Sequence, residues 1–166
     1  MQIRTERPGD ADAIGRITAA AFEQMPYSSG TEPHIVDALR QAGALIISLV
    51  AVLDGREIGG HVAFSPVMIG GQPGHWYGLG PISVAPHLQR RGIGQALVRA
   101  GLQRLDALNA EGCVLLGDPA YYGRFGFVSD PALTYLHKPS PHFQRLVLRG
   151  TPPSGDVSFH PAFDVS

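Results

Sequence analysis

Hydrophobic residues recur along this chain at two different periods. Apolar side chains three and four positions apart over residues 11–22, and again after Thr31, predict two amphipathic helices. Runs rich in apolar and β-branched residues predict strands that begin at Ile3, occupy 45–53 and 57–64, end at Val84, and occupy 113–117, 143–148 and 157–159. Strands are therefore predicted both before and after the helices.

Turn and cap residues mark the limits of these elements. Asp10 and Thr31 are suited to cap the first two helices. Asp54-Gly55 is a strong signal for a two-residue hairpin turn. Gly70-Gly71 and Pro73-Gly74 predict a second reversal of the chain.

A third helix is predicted over 91–111, with Gly112 at its end. Its apolar stripe contains Gly101, and glycine in an exposed helix costs about 1 kcal/mol relative to alanine. The simplest reason for a glycine there is close packing of the helix on a sheet. The apolar side chains of the stripe are Ile93, Leu97, Val98, Leu102, Leu105 and Leu108.

Together these patterns predict an α+β fold, with a mixed sheet flanked by helices. A chain of 166 residues is long enough to bury a real core, and we expect residues 1–166 to form a single domain. Hydrophobic residues make up 44% and charged residues 16%, which is typical of a globular protein.

Composition argues against several classes of function. A net charge of −1 disfavours a nucleic-acid binder that works by bulk positive charge. Cys113 is the single cysteine, which excludes an internal disulfide and a cysteine-rich zinc site and fits a cytoplasmic location. The histidines lack the paired spacing of a metal site, so we expect no metal. We expect no membrane partner, because no apolar run is long enough to span a bilayer and the N-terminus lacks a signal-peptide core.

Residues 79–97 join an apolar strand to the third helix through a basic loop that contains two glycines. The first turn of a helix has N–H groups without intrahelical partners, and the helix dipole adds positive potential there. Gly92 and Gly94 let an anion approach the backbone closely, while Arg90 and Arg91 add fork-shaped cationic donors. The stretch therefore predicts a phosphate or pyrophosphate site.

Two common phosphate-binding loops do not fit this stretch. A dinucleotide fingerprint requires a third glycine where Leu97 stands, and a Walker-type loop requires Gly-Lys-Ser/Thr, which is absent. An ordinary strand-to-helix turn is the remaining alternative to a ligand site.

Two motifs in register resemble those of the GCN5-related N-acetyltransferase (GNAT) superfamily. The acetyl-CoA motif Gln/Arg-x-x-Gly-x-Gly/Ala is matched by Gln89-Arg90-Arg91-Gly92-Ile93-Gly94. A Tyr-x-x-x-Gly-Phe element after the next strand is matched by residues 122–127. The longer run 116–127, with its Gly-Asp-Pro-Ala-Tyr-Tyr sequence, resembles a bacterial subgroup of acetyltransferases.

The resemblance implies a three-layer GNAT fold whose sheet splays between the fourth and fifth strands, with acetyl-CoA as cosubstrate in the cleft. It assigns an acetyl-CoA motif to 79–111, a second cofactor and catalytic segment to 113–128, and C-terminal strands to about 134–160. The cofactor-binding residues that it implies are Ile82, Ser83, Val84, Gln89, Arg90, Arg91, Gly92, Ile93, Gly94, Gln95, Asp118 and Tyr121. Residues 82–84 would run beside the pantetheine arm, and the N–H groups of 90–95 would hold the pyrophosphate.

The resemblance also places Tyr122 near the thioester sulfur. Aminolysis of a thioester needs a neutral amine, stabilisation of an oxyanion and a proton for the thiolate. A thiol has a pKa near ~8.5 and a tyrosine near ~10, so Tyr122 can act as general acid at a modest energetic cost. A backbone N–H near Ile82 or Ser83 can polarise the carbonyl. Core packing is the alternative for Tyr122 and Tyr121, and a simple helix cap is the alternative for Asp118.

The general base stays open at this point. Glu32, at the start of the second helix, resembles a glutamate of the subgroup, with a solvated first-turn carboxylate as the alternative. Glu57, His61 and His75 lie on segments that can border the acceptor groove. Many family members deprotonate the amine through water, so no single base is required. Cys113 is expected to be an inert core thiol.

These inferences favour an acetyl-CoA-dependent N-acetyltransferase that acts by direct attack of a primary amine of a small molecule or a protein. The alternative is a non-catalytic acyl-CoA-binding regulatory module on the same fold, and a third hypothesis is an unrelated nucleotide-phosphate binder. The acceptor cannot be read from the residues. Homodimers are common in the family, and the oligomeric state stays open.

Overall fold

One mixed β-sheet organises the chain. The computed structural model describes residues 1–23 and 25–165, and in that part eight strands share this sheet. The strands are β1 (Gln2–Thr5), β2 (Ile47–Leu53), β3 (Glu57–Ile69), β4 (Gln72–Val84), β5 (Gly112–Leu116), β6 (Leu133–Tyr135), β7 (Phe143–Val147) and β8 (Gly155–Ser158). The helices are α1 (Ala11–Phe22), α2 (Glu32–Gln41), α3 (Ile93–Ala107) and α4 (Pro119–Tyr122).

The strand order is β1-β2-β3-β4-β5-β7. Neighbours in this order are antiparallel, except that β4 and β5 are parallel. β8 pairs with the distal end of β3 and with β6. The predicted mixed sheet is therefore confirmed, and β6 is a short strand that was not among the predicted runs.

Helices cover both faces of the sheet. On one face, Ile93, Leu97 and Leu105 of α3 share an apolar cluster with side chains of β2 and β3. On the other face, Ile14 of α1 and Val36 of α2 pack against valines of β2. This arrangement confirms the three-layer α+β fold.

The contact between α3 and the sheet is as close as the position of Gly101 predicts. A Cβ built on Gly101 would overlap the ring of Phe64 on β3. Glycine is thus required at the point where α3 crosses the sheet, which confirms the packing inferred from the sequence.

Three predicted features near the end of α3 are wrong. The helix ends at Ala107 rather than at residue 111, because Asn109 has a left-handed φ of 60° and the chain turns into β5. Gly112 consequently begins β5, where a Cβ would overlap the indole ring of Trp76. Leu108 lies beyond the helix and is 48% exposed instead of belonging to the buried stripe.

Two further local predictions are corrected by the structure. Pro73-Gly74 lie inside β4, so the chain reverses only at Gly70-Gly71. Asp10 and Thr31 do precede their helices, but neither side chain forms a capping hydrogen bond. The Asp10 carboxylate instead faces the preceding segment, where it accepts hydrogen bonds from the Arg4 guanidinium at 2.6 and 3.2 Å and from the backbone N–H of Arg7 at 2.7 Å.

β4 and β5 pair over only a short length. Parallel pairs join Trp76–Gly78 to Gly112–Val114, and the described chain has no further β4–β5 pair. Beyond this point β4 stays paired with β3, and β5 stays paired with β7. The predicted splay between the fourth and fifth strands is thus confirmed, and it begins after the pair Gly78–Val114.

Substituting Gly101 with alanine should destabilise the fold by about 1–3 kcal/mol, because the added methyl group overpacks the contact with Phe64. Gly15 on α1 is a matched control, since a Cβ there meets nothing within 4 Å. Gly15→Ala should raise stability by about 1 kcal/mol through helix propensity. Urea denaturation of both variants measures the difference, and equal midpoints would contradict the proposed contact.

Candidate active site

The loop between β4 and α3 contains two residues with left-handed backbone. After β4, residues 86–88 form a short 3-10 turn. Arg90 has a φ of 66° and Gly92 a φ of 83°, and α3 begins directly afterwards at Ile93. Glycine adopts this conformation freely, whereas for an arginine it costs on the order of 1–3 kcal/mol and persists only where the surroundings impose it. Such costs concentrate at ligand-binding turns.

A cavity of about 430 Å³ lies against this loop. Its lining residues are Val84, Leu88, Gln89, Arg90, Gly92, Ile93, Gly94, Gln95, Tyr121 and Arg124. Eight of the predicted cofactor-binding residues therefore meet at one cavity. The sequence analysis missed Leu88 and Arg124, and for Arg124 the signal was a cationic side chain inside the second motif.

The side chain of Gln89 closes the loop onto the strand end. Its Nε2 donates a hydrogen bond to the carbonyl of Val84 at 3.1 Å. Gln89, the first residue of the predicted acetyl-CoA motif, therefore fixes the start of the loop relative to β4.

The backbone of β4 directs Ile82 and Val84 towards the splay. The Ala85 N–H donates to the carbonyl of Gly59 at 2.8 Å, in the register of the β3–β4 ladder. Hydrogen bonding alternates along an antiparallel ladder, so residues 83 and 85 direct their backbone groups to β3. Ile82 and Val84 direct theirs to the opposite edge, from which β5 has diverged.

The side chain of Ser83 does not reach the loop cavity. Its hydroxyl lies 3.1 Å from the hydroxyl of Thr18 on α1, and both residues are buried. Thr18 also donates to the carbonyl of Ile14 at 2.7 Å. The hydroxyl of Ser83 therefore fixes β4 against α1.

The segment after β5 begins with a helix cap. The Asp118 carboxylate accepts a hydrogen bond from the N–H of Ala120 at 2.9 Å, so the capping role considered for it is confirmed. A Cβ on Gly117 would lie 2.5 Å from Cε2 of Tyr122, so this glycine makes room for the ring. The Tyr122 ring packs edge to face on Phe127, with centroids 6.1 Å apart. Tyr122 is thus held firmly beside the splay.

Burial raises the pKa of the Tyr122 phenol well above its usual value, and Tyr121, Tyr27 and Cys113 add to the rise. The phenol therefore stays protonated throughout the physiological range. A protonated hydroxyl can donate a hydrogen bond or a proton, but it cannot accept a proton as a base. Cys113 is fully buried and burial likewise raises the pKa of its thiol, as expected for an inert core cysteine.

Tyr121 joins α4 to the first turn of α3. A Cβ on Gly94 would lie 3.4 Å from the Tyr121 hydroxyl, so the glycine leaves room for this contact. The Tyr121 ring packs edge to face on Tyr122, with centroids 5.0 Å apart. Tyr121 therefore both packs and lines the cavity.

Arg91, Asp118 and Glu32 lie outside the loop cavity. Arg91 and Asp118 are exposed. The Glu32 carboxylate accepts a hydrogen bond from the Ser28 hydroxyl at 2.6 Å. Glu32 lines a separate cavity of about 710 Å³ between α1 and the start of α2, together with Glu23.

His61 belongs to a buried polar network and is not accessible as a base. Its Nε2 lies 2.8 Å from Oγ of Ser48, which in turn donates to the Glu6 carboxylate. Arg40 binds the same carboxylate at 2.8 and 3.0 Å. Burial and the nearby Arg40 lower the pKa of His61 to about 4, although Glu6 opposes the shift. The ring is therefore neutral at physiological pH.

The other two candidates for the base lie on the surface. Glu57 is exposed and its carboxylate lies 3.2 Å from Nε2 of His87, while His75 is exposed on β4. Within residues 1–23 and 25–165, no group of three or more His, Cys, Asp or Glu side chains is arranged to hold a metal ion. No helix of that part is long and apolar enough to cross a membrane.

The splayed mixed sheet and the glycine-containing loop at the N-terminus of α3 are shared with a known family of acetyltransferases. The acetyltransferase (GNAT) domain family matches residues 45–129. The structure superposes on a GNAT family acetyltransferase from Brucella melitensis, solved in complex with acetyl-CoA, with a TM-score of 0.88 and 51% identity over 98% of this chain and 97% of that chain.

A second relative comes from Escherichia coli. The uncharacterized N-acetyltransferase YhbS is 39% identical over 127 residues, which are 76% of this chain and 73% of YhbS. The structure of YhbS in complex with CoA has a TM-score of 0.88 and 33% identity over 99% of this chain and 92% of that chain. The chain therefore belongs to the GNAT family of acetyltransferases, which confirms the resemblance drawn from the two motifs.

The His61 network predicts a pH-dependent stability. Between pH 6.5 and about 4 the unfolded chain binds a proton at His61 that the folded chain does not, so stability falls as the pH decreases through this window. The loss for this one group is up to roughly 3 kcal/mol. His61→Gln should flatten the dependence of the unfolding free energy on pH.

Denaturant titrations between pH 4.5 and 7 measure this effect. His75→Gln is the control, because His75 is exposed and lies outside the buried His61 network. A pH dependence that is unchanged in His61→Gln would show that His61 titrates normally in the folded state.

Proposed function

We propose that this chain is an acetyl-CoA-dependent N-acetyltransferase, which acts by direct attack of a primary amine on the thioester. The single observation that carries the proposal is the cavity at the N-terminus of α3, whose lining includes Val84 at the end of the β4 segment that β5 leaves unpaired. The relatives from Brucella and Escherichia coli, solved with acetyl-CoA and CoA, support the same cosubstrate.

The loop suits the pyrophosphate of CoA. Residues 93–95 open α3, so their N–H groups have no intrahelical partner and can bind phosphate oxygens. Gly92 has no side chain to keep an anion away from the backbone, and Arg90 supplies positive charge on the wall of the cavity. Arg91 contributes only through its charge, because it lies outside the cavity.

The open edge of β4 suits the pantetheine arm. Pantetheine contains two amide groups. Ile82 directs its backbone N–H and C=O towards the splay and Val84 directs its N–H there, while the Val84 carbonyl already accepts the hydrogen bond from Gln89. The arm can therefore bind as an additional strand beside β4, in the manner of β-strand addition. Ser83, whose hydroxyl bonds Thr18, holds these two residues in register.

Tyr122 is proposed as the general acid. When the amine nitrogen forms a bond to the thioester carbon and the C–S bond breaks, the leaving thiolate needs a proton. The Tyr122 phenol is neutral and partly desolvated, so it is in the correct protonation state to donate. Its raised pKa makes the donation to a thiolate (thiol pKa near ~8.5) uphill in water, which favours a transfer that accompanies C–S cleavage.

The acceptor amine is proposed to enter from the α1–α2 side. Glu32 and Glu23 line the cavity there together with Arg16, so two carboxylates face one guanidinium, and this excess of negative charge favours a cationic amine of a small molecule or of a protein. We assign Glu32 to acceptor binding, with removal of the amine proton by Glu32 or by water. In this proposal residues 1–166 form one N-acetyltransferase domain, in which 79–111 and 113–128 bind the cofactor and the α1–α2 side binds the acceptor.

The proposal predicts saturable release of free thiol from acetyl-CoA when a suitable amine is present. Tyr122→Phe should lower turnover by about 10²-fold or more, and should change the affinity for CoA by less than about twofold. Tyr135→Phe is the control, because Tyr135 is half-buried in a separate apolar cluster and burial raises its pKa as well.

The outcomes of this experiment separate the hypotheses. Unchanged turnover in Tyr122→Phe would remove Tyr122 from the mechanism but leave the transferase function intact. Tight CoA binding without transfer to a broad amine panel would favour the non-catalytic acyl-CoA-binding module. Absence of CoA binding in calorimetry would contradict both, and binding of NAD instead would favour an unrelated nucleotide site.

The role of Glu32 is tested separately. Glu32→Gln keeps the hydrogen bond with Ser28 but loses the charge, so KM for the amine should rise about tenfold while the Kd for CoA stays unchanged. Glu111→Gln, at the other end of the sheet, is the control. A KM that does not change in Glu32→Gln would leave Glu32 as a solvated first-turn carboxylate.

A further inference from the structure

The loop cavity contains a cationic side chain from outside the acetyl-CoA motif. Arg124 follows α4, yet its side chain lines the same cavity as Arg90 and the first turn of α3. Within residues 1–23 and 25–165, some arginines are paired with carboxylates, as Arg40 and Arg145 are, and others are not. In that part of the chain Arg90 and Arg124 have no ion-pair partner, so two uncompensated cations share one cavity.

The guanidinium of Arg124 is held in place by Tyr121. Its Nε donates a hydrogen bond to the carbonyl of Tyr121 at 2.9 Å. Its Cζ lies 4.4 Å from the centroid of the Tyr121 ring, within the range of a cation–π contact. Both contacts leave the two terminal nitrogens of Arg124 available, so the side chain presents a fixed fork of donors.

A second arginine nearby shows what is specific to Arg124. Arg99 on α3 lies over the ring of Phe125, 5.0 Å from the centroid, and Phe125 packs on Tyr121 at 5.6 Å. Arg99 thus has the same charge and the same kind of aromatic contact, but it does not line the cavity. The two residues form a natural pair for separating direct contact from general charge.

We propose that Arg124 forms a phosphate subsite for CoA on the α4 side of the cavity, and that Tyr121 is the residue that positions it. The proposal rests on the proposed use of CoA. A planar guanidinium with two free nitrogens matches two oxygens of one phosphate group. The N–H groups at the start of α3 form the opposite wall of the cavity and can also bind phosphate oxygens. The cavity therefore suits a ligand that carries several phosphate oxygens.

CoA offers two sources for this phosphate, the pyrophosphate and the 3′-phosphate of the ribose. Calorimetry with CoA and with 3′-dephospho-CoA distinguishes them. Arg124→Gln should weaken the binding of CoA about tenfold or more, whereas Arg99→Gln should weaken it less than about threefold. Arg124→Lys keeps the charge but not the fork, so it should recover only part of the affinity.

Binding of 3′-dephospho-CoA shows which phosphate of CoA contacts Arg124. If Arg124→Gln loses affinity for CoA but not for dephospho-CoA, the subsite binds the 3′-phosphate. If it loses affinity equally for both ligands, the subsite binds the pyrophosphate. The loss for the affected ligand should shrink as salt is added, because the contact is electrostatic and solvent-accessible.

Variants of Tyr121 test the positioning role. Tyr121→Phe keeps the ring under the guanidinium and should bind CoA within about twofold of the wild type. Tyr121→Leu removes the ring and should weaken CoA binding, and in the Arg124→Gln background this second loss should largely disappear. Thermal melts of each variant confirm that the fold is retained, since Arg124 is exposed and Tyr121 is only half-buried.

Two results would overturn the inference. One is CoA binding by Arg124→Gln at wild-type affinity, and the other is an equal loss in Arg99→Gln, which would show a general charge effect. Failure of the wild-type protein to bind CoA is a different result, because it would contradict the proposed function itself.

Discussion

The candidate active site depends on the early end of pairing between β4 and β5. A strand inside a sheet normally has hydrogen-bonding partners on both edges. Here the parallel pairs stop at Gly78 and Val114, so the last part of β4 is bonded only to β3. The backbone groups of Ile82 and Val84 on the other edge can therefore pair with an extended, amide-containing ligand, and the N-terminus of α3 lies at the end of the same strand.

Close contacts around glycines and aromatic rings hold the two walls of this opening. Gly101 brings α3 against Phe64, and Gly117 makes room for the ring of Tyr122. Tyr121 then reaches the first turn of α3 beside Gly94. A side chain at Gly101 or Gly117 would push a helix or a ring away, so the geometry of the cavity follows from packing as much as from the loop itself.

The sequence predicted most of the helices and strands, and it predicted eight of the residues that line the loop cavity, for identifiable reasons. The loop that contains Gly92 could be predicted from its glycines and arginines, which directly precede a helix. The limits of α1 could be predicted from the spacing of its apolar residues. The helix α3 was predicted too long, because Asn109 ends it by adopting a left-handed conformation that the apolar pattern does not reveal. His61 looked accessible as a candidate base, whereas its partners Ser48 and Glu6 come from distant parts of the chain.

The sequence by itself indicated the family, through two motifs that resemble those of its members, and it predicted most of the helices and strands and a glycine-containing turn before α3. These properties depend on residues that are near one another in the chain. Only the tertiary structure decided that Arg124 lines the loop cavity, that Glu32 lines a different one, and that Ser83 faces α1. These facts depend on how β4 and β5 diverge and on which side chains the packed helices bring together. Both depend on contacts between residues that are far apart in the chain, which a local sequence pattern does not specify.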